Sequence, residues 1–408
     1  MNGLLNGIRV VELGTHIAVP KAARVMADWG AEVIKVEPPK GEAWRTMGRE
    51  WNMPCTPDNN PIFQAENANK KSLALNLKTP EGREALLDLL ATADIFLTNT
   101  RPQALKRLGL TYEELKDRFP GLIYAHFTAY GKSGPDKDAP GFDSAAYWGR
   151  SGALLEWTSA GHDPFRPFPG FGDSTCSGYL LSGIMAALVQ KLRTGKGELV
   201  ELSLFGTALW FNSIGVIMGQ PQYGKQYPME PEKQPNAFVF FYQTKDGDWI
   251  VTGTSTWEQH APGVFRILGL PEYAEDPEYV DLERSRTHMP EVIAALRRGY
   301  AQTDTATILK GFAEIGLVHA RIRNPAEIST DPQAWENGYL REVTLECGDQ
   351  LVLPNTPVHF GSQETFPYEL GPALGRDSEA ILSSLGYSQE KISDMVKQGC
   401  LGVQTPEK

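Results

Sequence analysis

Residues 7–37, GIRVVELGTHIAVPKAARVMADWGAEVIKVE, decide the fold. Two short apolar runs, Gly7–Leu13 and Ala31–Glu37, flank a segment with helical spacing, Ala22–Trp29, which Gly30 ends. The two runs predict buried strands, and Pro38 and Pro39 end the second. A strand, a helix and a second strand in this order predict a right-handed crossover in a parallel sheet.

The same alternation continues to about residue 200 and predicts an α/β fold with a Rossmann-like large domain. The further predicted elements are a strand at Lys71–Lys78, a helix at Pro80–Ala91, a strand at Asp94–Thr98, helices at Gln103–Leu108 and Tyr112–Arg118, and a strand at Leu122–Phe127. The intervening segment Lys40–Asn69 is rich in polar residues, Pro and Gly, which predicts a long loop over the active face.

A change of composition at 219–235, rich in Gln, Pro, Gly and Lys, predicts a connector between domains. Beyond it, a hairpin pattern around Lys245–Asp248 and three helical segments predict a smaller α+β domain over 236–328. The large domain is then expected to comprise 1–218 and 329–408, with late strands near 340–345 and 351–353 and two terminal helices, Asp377–Leu385 and Ser388–Lys397.

Composition excludes several classes of protein. The 408 residues carry a net charge of −11, which disfavours non-specific binding to nucleic acid. The four cysteines have no Cys-x-x-Cys spacing and the seven histidines no metal-binding pairing, so neither a disulfide framework nor a metal site is expected. No apolar run is long enough to cross a bilayer, and residues 1–10 have neither the basic region nor the long apolar region typical of a signal peptide. We expect a cytoplasmic protein without a tightly bound cofactor.

The candidate nucleophile lies in Pro169–Gly178, PGFGDSTCSG, just before the helical run Tyr179–Leu192. Asp173 is expected at or near the N-cap of that helix, where the positive end of the dipole favours a carboxylate. Gly170 and Gly172 remove side chains beside it and would let a substrate approach the backbone. On this motif alone Asp173 is better explained as only a cap, and Cys176 as a small buried residue rather than a thiol nucleophile.

Several motifs together resemble the class III CoA-transferase family, also called the CaiB/BaiF family, over most of the chain. They are Leu5–Leu13, Gly30–Glu37, Asn67–Gly82, Asn99–Pro102, Gly134–Asp143 and Gly172–Ser174. The resemblance implies that Asp173 is the catalytic residue and that Asp143 and Gly172 lie near the thioester. It implies that coenzyme A, brought as an acyl-CoA substrate, is bound by His16, Ile17, Ala18, Leu75, Lys78, Asn99 and Arg107.

The implied reaction begins when the carboxylate of Asp173 attacks the thioester, which gives a mixed anhydride and then an aspartyl-CoA thioester. The α-methylacyl-CoA racemases of the same fold are the alternative. They use a histidine in a Gly-His-Asp motif, and the matching positions here are Gly141, Phe142 and Asp143. Phenylalanine cannot take a proton, which favours transfer over racemisation. A catalytically dead CoA-binding subunit is disfavoured because Asp173 is present.

The forms of residues 67–71 and 135–143 resemble the members that serve amino acid fermentation. These members move CoA between enoyl-CoA thioesters and 2-hydroxy acids such as 2-hydroxyisocaproate or phenyllactate, which links them functionally to a 2-hydroxyacyl-CoA dehydratase. Carnitine, oxalate, succinate and bile acids are alternative substrates. The resemblance also implies an interlocked, ring-shaped homodimer. Five aromatic residues are candidates for an acyl pocket: Trp44, Trp51, Phe63, Phe168 and Phe171.

Two positions depart from the family pattern. A basic residue that some members use on the nucleotide is Pro38 here, and Lys40 or Arg45 is expected to substitute. The glycine-rich loop that some members close over the site is replaced by Pro228–Asn236, which has no glycine run.

Overall fold

The computed structural model describes residues 3–230, 236–253, 256–362 and 367–403. Its strands are β1 (Arg9–Leu13), β2 (Glu32–Glu37), β3 (Lys71–Leu75), β4 (Ile95–Thr98), β5 (Ile123–Thr128), β6 (Leu199–Ser203), β7 (Phe241–Gln243), β8 (Trp249–Gly253), β9 (Val318–Arg321), β10 (Leu340–Thr344), β11 (Gln350–Pro354) and β12 (Leu401–Gly402).

The helices in the first half of the chain are α1 (Ala18–Asp28), α2 (Trp44–Met47), α3 (Pro61–Asn67), α4 (Pro80–Leu90), α5 (Pro102–Leu108), α6 (Tyr112–Leu115), α7 (Ala153–Glu156), α8 (Phe171–Thr194), α9 (Leu204–Phe211) and α10 (Ser213–Met218). Those in the second half are α11 (Trp257–Ile267), α12 (Pro271–Ala274), α13 (Pro277–Val280), α14 (Leu282–Ser285), α15 (Met289–Gln302), α16 (Thr305–Glu314), α17 (Pro325–Ile328), α18 (Pro332–Glu336), α19 (Ser378–Ser384) and α20 (Gln389–Lys397). Shorter elements are 3-10 helices at Gly48–Trp51, Ala237–Val239 and Arg286–His288 and a π-helical segment at Asp143–Gly149.

Six parallel strands form the main sheet in the order β3-β2-β1-β4-β5-β6, and β12 pairs antiparallel with the outer edge of β3. This order is the doubly wound arrangement of dinucleotide-binding folds. Helices cover both faces: Val10 packs in the cluster with α1 and α8, whereas the next residue, Val11, packs in the cluster with α4, α19 and α20. The predicted α/β fold with a large parallel sheet is confirmed.

The prediction of a long loop over Lys40–Asn69 is wrong. The segment contains α2, a 3-10 turn and α3, because Asn60 caps α3 by accepting a hydrogen bond from the Phe63 amide at 3.3 Å and Pro61 occupies its first turn. Trp44 and Phe63 then bury their rings against Ile17. Strand β6 and helices α9 and α10 were not predicted, and α1 begins at Ala18 rather than at residue 22, since Pro20 is tolerated in its first turn.

Contacts divide the chain into two compact units, 1–154 with 166–218 and 333–408, and 155–165 with 219–332. The smaller unit contains the antiparallel sheet β7-β8-β9, which adds β9 to the predicted hairpin. Its core includes the stacked rings of Phe238 and Trp257, whose centroids lie 4.2 Å apart. The predicted connector lies only partly within the described residues, which omit 231–235. No helix among the described residues is long and apolar enough to span a membrane.

A cluster of buried charges lies at the centre of the main sheet. Lys35 donates to Glu12 at 2.9 Å and pairs with Glu42 at 2.7 Å, and Lys70 donates to the other oxygen of Glu12 at 2.7 Å. All four side chains are almost fully buried. Burial lowers the pKa of Lys35, but the three carboxylates around it (Glu12, Glu42 and Glu37) overcome this and raise its pKa above the ordinary value. Burial lowers the pKa of Lys70 to about 8.

Breaking this cluster is expected to destabilise the protein strongly. Glu12→Gln leaves two buried ammonium groups short of compensation, which costs about 3–5 kcal/mol of unfolding free energy. Glu32→Gln on the neighbouring strand removes a partly exposed pair with Arg9 and Lys71 and should cost below about 1 kcal/mol. Urea unfolding followed by circular dichroism checks both, and equal midpoints would contradict the expectation.

Candidate active site

The site lies where the strand order reverses, between β1 and β4. Chains leaving the carboxyl ends of these strands turn in opposite directions, which opens a crevice where ligands bind in sheets of this type. The side chain of Asn99 bridges the two loops: its oxygen accepts the Thr15 amide at 3.0 Å and its nitrogen donates to the Thr15 carbonyl at 2.8 Å. Asn99 therefore ties the two loops together with both of its polar atoms.

His16 has a left-handed backbone, with φ of 65°, which is unfavourable for a residue with a side chain. Its amide donates to Glu42 at 2.8 Å, and Glu42 is held in turn by Lys35. Its ring lies 5.5 Å from that of Phe142. Burial lowers the pKa of the imidazole and so favours its neutral form, although Glu42 acts in the opposite direction. The buried charge cluster thus fixes the conformation of the loop at the crevice.

A cavity of about 370 Å³ occupies the crevice, and we call it the aspartate cavity. Its lining includes Thr15, His16, Ile17, Ala18, Asn99, Arg101, Phe142 and Asp173. The structure therefore brings the nucleophile candidate together with four of the predicted CoA-binding residues. Asp173 is the third residue of α8, after an N-cap at Gly170 whose φ is 81°, so it lies inside the first turn rather than at the N-cap.

Asp143 and Gly172 lie behind Asp173 and do not line this cavity. Asp143 is buried, and its Oδ2 accepts the Gly170 amide at 3.0 Å, so it anchors the start of α8 instead of capping its own helical segment. A side chain on Gly172 would meet Asp143 Oδ1 at 2.1 Å, and one on Gly170 would meet Ile17 at 2.1 Å. The expected open space beside these two glycines is wrong, because protein atoms fill it.

The environment of Asp173 disfavours its charged form. Burial, followed by repulsion from Asp143 and Glu66, raises the pKa of this carboxyl from 3.8 to about 7, although Lys21 acts in the opposite direction. Because a raised pKa means a more basic carboxylate, the ionised form of Asp173 is a stronger nucleophile than an ordinary surface aspartate. The same burial raises the pKa of the Cys176 thiol to about 12, consistent with a small buried residue that takes no part in the chemistry.

Lys21 and Glu66 were missed by sequence reasoning. The ammonium of Lys21 donates to Ser174 Oγ at 3.0 Å and lies 3.4 Å from Glu66, whose other oxygen accepts the Trp44 indole at 3.2 Å. Burial raises the pKa of Glu66. The sequence contained one indication that Lys21 lies near the site. It follows the predicted CoA-binding residues Ile17 and Ala18 by one helical turn, at the start of the first crossover helix.

A second cleft lies along the same edge of the sheet, and we call it the basic cleft. It contains the remaining predicted CoA-binding residues, Leu75, Lys78 and Arg107, together with Arg83 and Pro38. Helix α5 borders both sites, since Gln103 lines the aspartate cavity and Arg107 the basic cleft. Arg45, expected to replace the missing basic residue, is already occupied: it binds Glu37 through two hydrogen bonds of 2.7 Å.

The five candidate aromatics for an acyl pocket separate into two groups. Trp44, Trp51 and Phe63 pack together around Ile17, next to the aspartate cavity. Phe168 and Phe171 are exposed, with 79% and 51% of their surface accessible.

Two further observations complete the account of the charged groups. Asp28, at the end of α1, is buried and accepts a hydrogen bond from Arg24 Nε at 2.6 Å. No cluster of three potential metal ligands exists among the described residues.

Comparison with known proteins identifies the family. The family model described as CoA-transferase family III matches residues 5–378. The chain belongs to this family. The family resemblance deduced from the motifs is therefore confirmed, and the protein is a CoA-transferase.

Two curated relatives match nearly the whole chain. It is 37% identical over 391 residues to (R)-2-hydroxy-4-methylpentanoate CoA-transferase of Clostridioides difficile, which covers 96% of this chain and 98% of the relative. It is 32% identical over 398 residues to cinnamoyl-CoA:phenyllactate CoA-transferase of Clostridium sporogenes, covering 97% and 96%. Among solved structures, a CaiB/BaiF family protein from Brucella suis superposes with a TM-score of 0.80 at 27% identity, covering 94% of this chain and all of that one.

The raised pKa of Asp173 predicts a gain in stability when its charge is removed. Because the pKa in the folded state lies above 3.8, the folded state loses stability as the pH rises from about 4 to 7. Asp173→Asn stays neutral, so at pH 8 it should unfold with about 1–3 kcal/mol more free energy than the natural protein. Thermal unfolding at pH 8 and pH 5 checks this, since the difference should shrink at pH 5. The exposed Asp117→Asn serves as the control and should show no such dependence.

Proposed function

We propose that this CoA-transferase moves CoA from an acyl-CoA to a free 2-hydroxy acid, with Asp173 as the covalent nucleophile. The observation that carries the proposal is the position of the Asp173 carboxyl: it lines the cavity at the reversal point of the sheet, within reach of both loops that define the crevice. In this family the covalent partner must be a nucleophile exposed to the thioester, and the aspartate cavity supplies one at that position.

In the first half of the reaction, an oxygen of Asp173 bonds to the thioester carbonyl carbon. The carbon–sulfur bond breaks and its electron pair leaves with the CoA thiolate, so a mixed anhydride forms. The thiolate then attacks the aspartyl carbonyl, the anhydride bond breaks, and the donor acid departs as a carboxylate. Asp173 is left as a CoA thioester.

In the second half, the carboxylate of the acceptor acid attacks the aspartyl thioester and expels the thiolate again. Attack of the thiolate on the acceptor carbonyl forms the new acyl-CoA and restores the carboxylate of Asp173. No atom is lost, provided that water does not reach the anhydride. Backbone amides in the first turn of α1, whose start lines the aspartate cavity, are suited to stabilise the oxyanions.

The arrangement of the two clefts supports the binding of a CoA thioester along the carboxyl edge of the sheet. Lys78, Arg83 and Arg107 offer three cations for phosphate oxygens in the basic cleft. Helix α5 connects this cleft with the aspartate cavity, where the thioester would meet Asp173. The binding roles of His16, Ile17, Ala18, Leu75, Lys78, Asn99 and Arg107 remain proposals on this basis. For Asn99 the contribution would be indirect, since its side chain is bound to Thr15.

A 2-hydroxy acid is proposed as the acceptor because the two relatives described above are named for 2-hydroxy-4-methylpentanoate and phenyllactate. Both are acids with a bulky apolar side chain. Ile17 and Phe142, which line the aspartate cavity, offer apolar surface to such a group, whereas Trp44 and Phe63 are buried against Ile17. A functional link to a 2-hydroxyacyl-CoA dehydratase follows from the same proposal, since its product would be an enoyl-CoA donor.

Racemisation is the competing function, and the side chain of Phe142 argues against it. Phe142 lines the aspartate cavity with 65% of its surface exposed, at the position where the racemases carry their histidine. An aromatic hydrocarbon cannot exchange a proton with a substrate.

Dimer formation remains a proposal, supported by exposed apolar side chains on α9 and α10 such as Trp210, Ile214 and Ile217.

Replacing Asp173 should abolish transfer. With an acyl-CoA and 2-hydroxy-4-methylpentanoate, Asp173→Ala should lose at least about a thousandfold in kcat, because the covalent route is removed. Mass spectrometry of acyl-CoA species measures this, and hydroxylamine added with acyl-CoA should convert Asp173 to a hydroxamate in the natural protein only. In the natural protein kcat/KM should rise as the pH passes about 7, where Asp173 ionises. Undiminished exchange in Asp173→Ala would refute the proposal, and racemisation of a 2-methylacyl-CoA without acceptor acid would favour the alternative.

Arg107→Ala should weaken CoA binding without altering the chemistry. Loss of one phosphate contact is expected to raise the Kd for CoA by about 5- to 30-fold, and the difference should shrink at high salt. Isothermal titration at low and high ionic strength measures this. Arg118→Ala removes an exposed arginine that lines neither cleft and should leave the Kd unchanged.

A further inference from the structure

The first turn of α8 has a lysine beside it that no step of the proposed reaction has used. The Lys21 ammonium, on α1, donates to Ser174 Oγ at 3.0 Å, and Ser174 directly follows Asp173. On its other side the same ammonium lies 3.4 Å from Glu66 Oε1. Lys21 is thus fixed between three elements, α1, α3 and α8, next to the nucleophile.

The Lys21 ammonium retains a capacity to bind a ligand. It has three N–H donors, and within the described parts of the chain Ser174 and Glu66 are its recorded polar partners. The side chain keeps 33% of its surface accessible, whereas Glu66 keeps only 5%. A ligand arriving from solvent would therefore meet the cation and not the carboxylate that holds it.

The charges around Asp173 explain why such a cation is needed. Asp143 and Glu66 both act on Asp173 as negative charges, and Lys21 is the positive group that opposes them. An acid substrate adds another carboxylate at the same place, and like charges at close range are costly without compensation.

The two substrates also need separate approaches to Asp173. The aspartate cavity contains the predicted CoA-binding residues of the loop after β1, but Lys21 is not among its lining residues. Lys21 and Ser174 are therefore not part of the wall of the cavity assigned to the thioester. Lys21 offers an accessible cation to the carboxylate of an acid that approaches Asp173 from outside that cavity.

We propose that Lys21 is the residue that binds the carboxylate of the acid substrate beside Asp173, with Ser174 and Glu66 as positioning residues. The proposal deepens the function given above and depends on it. The donor acid would leave from this position and the acceptor acid would enter it, while CoA stays in the basic cleft with its sulfur in the aspartate cavity.

Lys21→Met tests the proposal in steady-state kinetics with 2-hydroxy-4-methylpentanoate and a saturating acyl-CoA. The KM for the acid should rise by about 10- to 100-fold, the loss expected for a hydrogen bond between charged groups, while the KM for acyl-CoA changes less than about threefold. Lys21→Arg should restore most of the affinity for the acid. The control Lys191→Met removes another partly buried lysine, paired with Asp94 at 2.7 Å, and should alter neither KM.

Lys21→Gln provides a second variant in case the methionine variant fails to fold, because glutamine keeps a donor for Ser174 but no charge. An unchanged KM for the acid in a folded Lys21 variant, or an equal rise in both KM values, would overturn the proposal. Hydroxylamine trapping on Asp173 separates this result from failure of the proposed function. If the natural protein and Lys21→Met both form the hydroxamate but the acid KM is unchanged, only the role of Lys21 is lost. If the natural protein forms none, the covalent mechanism itself fails.

Discussion

The buried ion pairs of Glu12 with Lys35 and Lys70 are the constraint on which the rest of the site depends. Strands β1 and β2 are buried on both faces, where a charged side chain is unfavourable unless its partners are also present. Lys35 satisfies this condition by binding Glu42, and Glu42 in turn accepts the amide of His16. The strained loop that lines the crevice is therefore held by the hydrogen bond from the His16 amide to Glu42, a member of the buried charge cluster.

The position of Asp173 shows how the protein balances reactivity against stability. Burial and two neighbouring carboxylates make the charged form of this residue unfavourable, and Lys21 offsets part of that effect. A carboxylate whose negative charge was well stabilised by its surroundings would be a weaker nucleophile towards a thioester. Asp173 thus lowers the free energy of unfolding. The first turn of α8 nevertheless stays in place, because it belongs to a long helix and because the Gly170 amide donates to Asp143.

Sequence reasoning predicted the parallel sheet well because the strands β1, β2, β4 and β5 are apolar runs whose pattern reflects burial on both faces. The family motifs also led to Asp173 and to the residues of both clefts. Sequence reasoning failed over 40–69, where polar composition concealed the short helices α2 and α3, which are fixed by the packing of Trp44 and Phe63 against Ile17. Such contacts depend on distant parts of the chain, and local propensity does not reveal them.

The pairs made by charged residues were equally hidden from the sequence. Glu12 and Lys35 lie within the apolar runs that predict β1 and β2, but their partners Lys70 and Glu42 lie outside those runs. The same holds for Lys21, which pairs with Glu66 of α3. It also holds for Asp28, which accepts hydrogen bonds from Asn69 and Thr356. The spacing of apolar residues predicts helices and strands. Which charged side chains form pairs depends on contacts between segments that are distant in the sequence.

The pairing of β12 with β3 has a consequence for biosynthesis. Leu401 and Gly402 cover the outer edge of the sheet opposite Leu75 and Ala74, more than 300 positions earlier in the chain. While the ribosome is still translating the smaller unit, that edge has no partner and presents its backbone to other nascent chains. Chaperones that shield open strand edges should therefore be most needed in the interval before residue 401 emerges.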